Sequence, residues 1–127
     1  MSLDVELVGG EAVPHEEVQR LVTAALARAG VDSGHVAVAF VDAHEIARLN
    51  AEHRGKDEPT DVLSFPVDGT DEVAGPRELG DVVICPEHTE DLSEAVVHGT
   101  LHLVGMDHET DHGEMLALQA EIVSWVR

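Results

Sequence analysis

Residues 98–108 run His98-Gly-Thr-Leu-His102-Leu-Val-Gly105-Met-Asp-His108, three histidines at i, i+4 and i+10. On a helix of 3.6 residues per turn His98 and His102 stand one turn apart on the same side, so both imidazoles can reach a single ion. Gly105 gives the helix a place to stop, because glycine takes the left-handed conformation without a Cβ clash, and the chain that turns back there would bring His108 to the ion. Three neutral imidazoles around a tetrahedral zinc leave a fourth position open, where catalytic sites keep a water. The expected cofactor is therefore one Zn2+ ion, with His98, His102 and His108 as ligands. His112 is an alternative third ligand, but Gly105 places the turn better for His108.

The same interval pattern, H-x-x-x-H-x-x-G-x-x-H, underlies zinc proteases whose second position is a glutamate acting as general base. Here that position is Gly99. A glycine cannot accept a proton, so the frame keeps the ligand spacing and lacks the protease's base. The chain has nine histidines, and a pair four apart can arise by chance. Val96, Val97, Leu101, Leu103 and Val104 set this pair in an apolar stretch, however, and partly buried imidazoles need partners. The alternative to a metal is a set of hydrogen-bonded core histidines.

The elements that must hold this frame can be read from periodicity. Residues 3–8 alternate apolar and acidic side chains as a half-exposed strand does, and Pro14 opens a helix to about Ala29 with Val18, Leu21, Val22, Ala25 and Leu26 on one face. His35 to Val41 reads as a buried strand. Asp42 with Glu45 forms a capping box for a short helix to about Asn50. His53 to Pro66 reads as a loop and then a short strand, Val62 to Phe65, and residues 67–79 as a mobile polar excursion. Val82 to Cys85 is a further buried strand. The histidine helix spans Leu92 or Ser93 to Val104, with Ser93 as cap. Asp111 to Trp125 is amphipathic, with Met115, Leu118, Ile122 and Trp125 forming a core-facing stripe. No two-residue Asn-Gly hairpin turn occurs, so most strand connections are expected to be longer crossovers. The fold class is α/β (α+β), with a sheet of about four strands packed by helices.

At 127 residues the chain makes one domain over 1–127, and the single Cys85 permits no internal disulfide. The N-terminus has no signal-peptide pattern and no stretch approaches a membrane-spanning length, so a cytoplasmic protein is expected. With 26 Asp and Glu against 7 Lys and Arg, the formal net charge is −19. A field of that sign repels nucleic acid and anionic membranes. Arg48, Arg54 and Lys56 nevertheless fall close together, as either a phosphate-facing patch or scattered solvated cations. Phe40, Phe65 and Trp125 all lie in apolar stretches, which leaves no evident surface for base stacking.

Three separate motifs narrow the reading: Asn50-x-x-His53-Arg54-Gly55-Lys56-Asp57-x-Pro59-Thr60-Asp61-Val62-Leu63-Ser64-Phe65-Pro66, then Gly80-Asp81-Val82-Val83-Ile84, then the histidine frame. In order and spacing they resemble the YbeY family of bacterial endoribonucleases from about residue 35 to the end. The first strand and helix agree in type. The resemblance implies an α/β sandwich around a small, mostly parallel sheet. It implies a metal-dependent endoribonuclease that cuts single-stranded RNA in rRNA maturation, especially at the 3′ end of small-subunit rRNA, and in ribosome quality control. The family's zinc ligands correspond to His98, His102 and His108, and its motif arginine to Arg54. The implied partners are single-stranded RNA or rRNA, the small ribosomal subunit and assembly proteins, with neither DNA nor membrane among them. The segment between Cys85 and His98 is shorter than is usual in the family.

The residues support one mechanism in outline. His98 and Arg54 would act as the catalytic pair, His98 holding with His102 and His108 a zinc that would supply Lewis acidity to a water or phosphodiester oxygen, and Arg54 neutralising charge on the phosphoryl group with its planar fork. Asp107 either orients an imidazole ligand or caps the turn. Asp61 and Ser64 are placed to line the cleft, with a structural turn role as the alternative for Asp61. Two other functions fit the same residues: a non-catalytic ribosome-assembly factor with a structural zinc, attractive to basic partners through its acidic surface, and a metal-dependent hydrolase of another phosphoester.

Overall fold

A computed structural model of the chain describes residues 3–10, 12–68, 77–107 and 111–126. Four strands, β1 (Leu3–Val8), β2 (Gly34–Phe40), β3 (Val62–Pro66) and β4 (Glu78–Ile84), form one sheet in the order β1-β2-β4-β3. Helices α1 (His15–Arg28), α3 (Leu92–Leu103) and α4 (Glu114–Val126) pack together on one face, and α2 (Ala43–Arg54) covers part of the other.

The α/β class holds, but the sheet is mixed rather than mostly parallel. β1 pairs β2 and β2 pairs β4 in parallel, whereas β3 runs antiparallel to β4. Only residues 67–77 join β3 to β4, fewer than the dozen or so that a parallel crossover takes. The chain therefore returns directly. Val67 N–H donates to Leu79 O at 3.1 Å, and Asp68 both donates to Glu78 O and accepts from Glu78 N–H through Oδ2, each at 2.8 Å. β4 consequently begins at Glu78, four residues before the apolar run that marks it in the sequence. Of the segment expected to be a mobile excursion, residues 69–76 lie outside the described residues.

Three helix boundaries also differ from expectation. α2 continues past Asn50 to Arg54 and ends at Gly55. Its apolar period stops at Leu49, yet Ala51 to Arg54 are tolerable helix residues, and buried Asn50 donates its side-chain amide to Glu58 O at 2.9 Å. That bond folds the following loop back along the helix and leaves Arg54 in the last helical turn. The cap of α3 is Asp91, whose carboxylate accepts from Glu94 N–H at 3.1 Å, while Ser93 lies buried inside the helix. α4 begins at Glu114. Met115 and Ile122 are fully buried and Leu118 packs on the core, but Trp125 is 57% exposed, with the Arg28 guanidinium 5.2 Å from its ring centre. Amphipathic spacing extended the stripe one turn beyond the edge of the core.

α3 is the element that matters for the site, and it is held on both flanks. Val96, Val97, Leu101 and Leu103 are buried against the sheet, α1 and α4, each contributing roughly 1.5–3 kcal/mol of burial. Gly99 faces the sheet. A Cβ there would stand 2.4 Å from Val82 Cγ1 and 3.1 Å from Val62 Cγ2, so glycine lets helix and sheet approach. Ser64 Oγ donates to Gly99 O at 2.8 Å and fixes the same contact. The helix ends with Gly105 N–H on His102 O and Met106 N–H on Leu101 O, both at 3.1 Å, and Gly105 takes φ +93°.

Candidate active site

With its sheet-facing residues buried, α3 turns His98 and His102 outward, each partly exposed. Their Nε2 atoms are 3.1 Å apart, and the rings meet edge to face with centres 4.7 Å apart. Two ring nitrogens this close need a shared proton or a shared cation between them. At 3.1 Å the two are at hydrogen-bond distance, and two nitrogens each about 2.0–2.1 Å from a tetrahedral zinc stand ~3.3 Å apart, so the spacing accommodates either. Imidazole nitrogens are also the right donors for zinc. Among the described residues no group of three or more His, Cys, Asp or Glu side chains converges on one point. His108, the expected third ligand, lies outside the described residues.

One partner of this pair is invisible in the motifs. His98 Nδ1 is 2.8 Å from Gln119 Oε1 on α4. An amide oxygen only accepts, so His98 carries its proton on Nδ1 and leaves the Nε2 lone pair facing His102. This is the tautomer a ligand needs, held by the kind of outer contact that orients metal-binding imidazoles. Gln119 is 21 residues away in sequence, on a helix whose polar positions otherwise read as solvent-facing.

The two histidines open onto a cleft of about 530 Å3 that follows β3, one of the two edge strands of the sheet. Arg54 lines the same cleft, together with Thr60, Asp61, Ser64, Pro66 and Asp107. The fold thus brings Arg54 to the histidine pair from the opposite face of the sheet, around its edge. The cation patch is smaller than the sequence suggests. Arg48 is taken up by Glu45 and Glu52 at 2.6 and 2.8 Å, whereas among the described residues Arg54 and Lys56 show no ion pair. Both are exposed.

The roles left open for the motif's polar residues divide here. Asp61 serves the turn, its carboxylate accepting from Val62 N–H at 2.8 Å and from Thr60 Oγ1 at 3.2 Å, while it also lines the cleft. Ser64 lines the cleft and ties β3 to α3 through its bond to Gly99 O. Asp107 lines the cleft at the turn after α3. His112 is exposed and does not line it. On the far side of His98 a second cleft of about 430 Å3 is lined by Glu90, Asp91, Glu94 and Gln119. Among the described residues no Lys or Arg lining it offsets these carboxylates, whereas the first cleft sets Arg54 beside Asp61 and Asp107, so phosphate is less disfavoured there.

An edge-strand cleft that brings paired imidazoles together with an arginine lacking an ion pair among the described residues has the make-up of a candidate hydrolase site. The family model described as Endoribonuclease YbeY matches residues 9–127, and the chain belongs to that family. Among curated relatives, the Endoribonuclease YbeY of Rubrobacter xylanophilus is 41% identical over 128 residues, covering 96% of this chain and 92% of its own. That of Salinispora tropica is 36% identical over 151 residues, covering 98% and 96%. The solution structure of TM1509 from Thermotoga maritima superposes with a TM-score of 0.60 at 28% identity, over 98% of this chain and 88% of that one. No helix among the described residues is long and apolar enough to cross a membrane.

Proposed function

We propose that this chain is a zinc-dependent endoribonuclease that cuts single-stranded RNA in rRNA maturation, at the small-subunit 3′ end, and in ribosome quality control. The observation that carries the reading is the shared cleft: Arg54 from α2 and His98 with His102 from α3 line one groove in a member of the YbeY family. Zinc held by His98, His102 and His108 would supply Lewis acidity to the reacting water or phosphodiester. The chain's own groups do the rest. Gln119 holds the His98 ring and its tautomer. Arg54 receives two phosphoryl oxygens on its fork and offsets the charge that builds there. Ser64 and Gly99 keep α3 seated on β3, so the histidines stay level with the arginine.

Many of the cleft's lining residues, including Arg54, Asp61, Pro66 and Asp107, are exposed, which suits a polymer better than a small phosphoester. A net charge of −19 weakens unaided capture of RNA and favours basic ribosomal and assembly proteins of the small subunit as partners that deliver it in the cytoplasm. The test is cleavage of one RNA sequence, unpaired and in a duplex, by the purified protein with one equivalent of zinc. Cutting confined to the unpaired strand is expected. Zinc binding without any cutting would replace this reading with an assembly factor, and turnover of small phosphodiesters alone with a different hydrolase.

A further inference from the structure

Beside the cleft the structure holds an aromatic pair that the distribution of Phe and Trp does not reveal. The His53 and Phe65 rings lie 4.3 Å apart, centre to centre, tilted by 53°. His53 is exposed in the last turn of α2. Phe65 is half-buried, anchored on its inner side by the cluster of Ile46, Leu63 and Val83. Each ring is the chain neighbour of a residue lining the cleft: His53 precedes Arg54, and Phe65 precedes Pro66. Neither ring lines the cleft itself; the pair lies next to its arginine end, on the α2 side of the same edge strand.

We propose that His53, backed by Phe65, is a stacking platform for an unpaired nucleobase next to the phosphodiester held at Arg54. The inference rests on the endoribonuclease reading and specifies how that site recognises its substrate. An unpaired base offers a free π-face to an exposed ring, and a base inside a duplex does not. Every base has such a face, so the platform selects for single strands without selecting a sequence. Anchoring by Phe65 limits the freedom the His53 ring loses when a base lands on it. The other rings are placed differently: Phe40 is buried, and Trp125 sits on α4 under Arg28.

Two single-stranded RNAs, identical except for abasic nucleotides flanking the mapped cut site, test this with wild-type protein and the His53→Ala and His53→Tyr variants. Wild type should show KM roughly tenfold higher for the abasic strand, with kcat little changed. His53→Ala should raise KM for the normal strand to the abasic level and erase the difference between the two, and His53→Tyr should restore it. Circular dichroism checks that this exposed helix end stays folded. If wild type cuts both strands with equal KM, or His53→Ala still discriminates, the platform is wrong and the endoribonuclease reading stands. If wild type cuts neither strand, both readings fall together.

Discussion

Gln119 Oε1 accepts a hydrogen bond from His98 Nδ1 at 2.8 Å, joining α4 to the histidine pair on α3. The bond fixes which nitrogen of His98 is left with a lone pair. A residue outside every recognisable motif thereby orients the motif's first histidine.

Gln119→Ala should weaken zinc binding by about 10- to 100-fold while leaving the thermal transition nearly in place, since the outer partner of a ligand contributes on that scale. Gln119→Glu keeps an acceptor at the same reach and should bind zinc close to wild type. Competition against a chelator of known affinity measures both. Equal affinity in Gln119→Ala would show that Gln119 does not orient His98.

Gly99→Ala should destabilise the fold by roughly 1–3 kcal/mol, because the added Cβ would sit 2.4 Å from Val82 Cγ1 in a contact that cannot open freely. The melting temperature should fall by about 5 °C or more. Gly99→Glu should be worse and should not create a protease. The position faces the sheet, so no base placed there reaches the histidines. An alanine variant as stable as wild type would mean that helix and sheet are less closely fitted than the contact implies.

The missing glutamate at Gly99 is plain in the sequence; its physical reason is not, since it depends on Val62 and Val82 from two strands meeting one helix position. Strands and helices were legible wherever burial imposes a period, as in the alternation of β1 and the apolar face of α1. The end of α2 was not legible. Asn50 looks like a stop residue until its side chain is seen bonding Glu58 O eight residues on. The antiparallel course of β3 was hidden for a similar reason, because the bonds between Asp68 and Glu78 join residues that local pattern leaves unrelated. The histidine frame stood out by type and spacing and Arg54 only through the family resemblance, but the meeting of His98 and His102 with Arg54 in one cleft is a property of the sheet edge. Gln119 gave no signal at all.

His35 supplies a pH dependence away from the site. Burial pulls its imidazole down, but hydrogen bonds to Glu78 at 2.7 Å and Glu6 at 3.1 Å, with the nearby charges of Glu78 and Asp4, outweigh this and hold it above its ordinary value. A pKa raised by folding gives stability that is full below the unfolded value of about 6.5 and is lost as pH climbs through the folded value. The urea midpoint of His35→Gln should therefore fall furthest below wild type near pH 5.5 and approach it by about pH 8.5. A gap that widens with rising pH would contradict this assignment.

The most direct measurement is the rate at which zinc-loaded Arg54→Ala cuts single-stranded RNA, set beside wild type at equal zinc content. Arg54 is exposed and, among the described residues, without an ion pair, so the variant should fold and bind zinc normally. Loss of its charge from the reacting phosphoryl group should slow cleavage by about a hundredfold or more. Arg54→Lys should recover only part of that, lacking the two-pronged fork. A variant that holds zinc and cuts at the wild-type rate would contradict the account, because the histidine pair and Arg54 would then share a cleft without sharing a reaction.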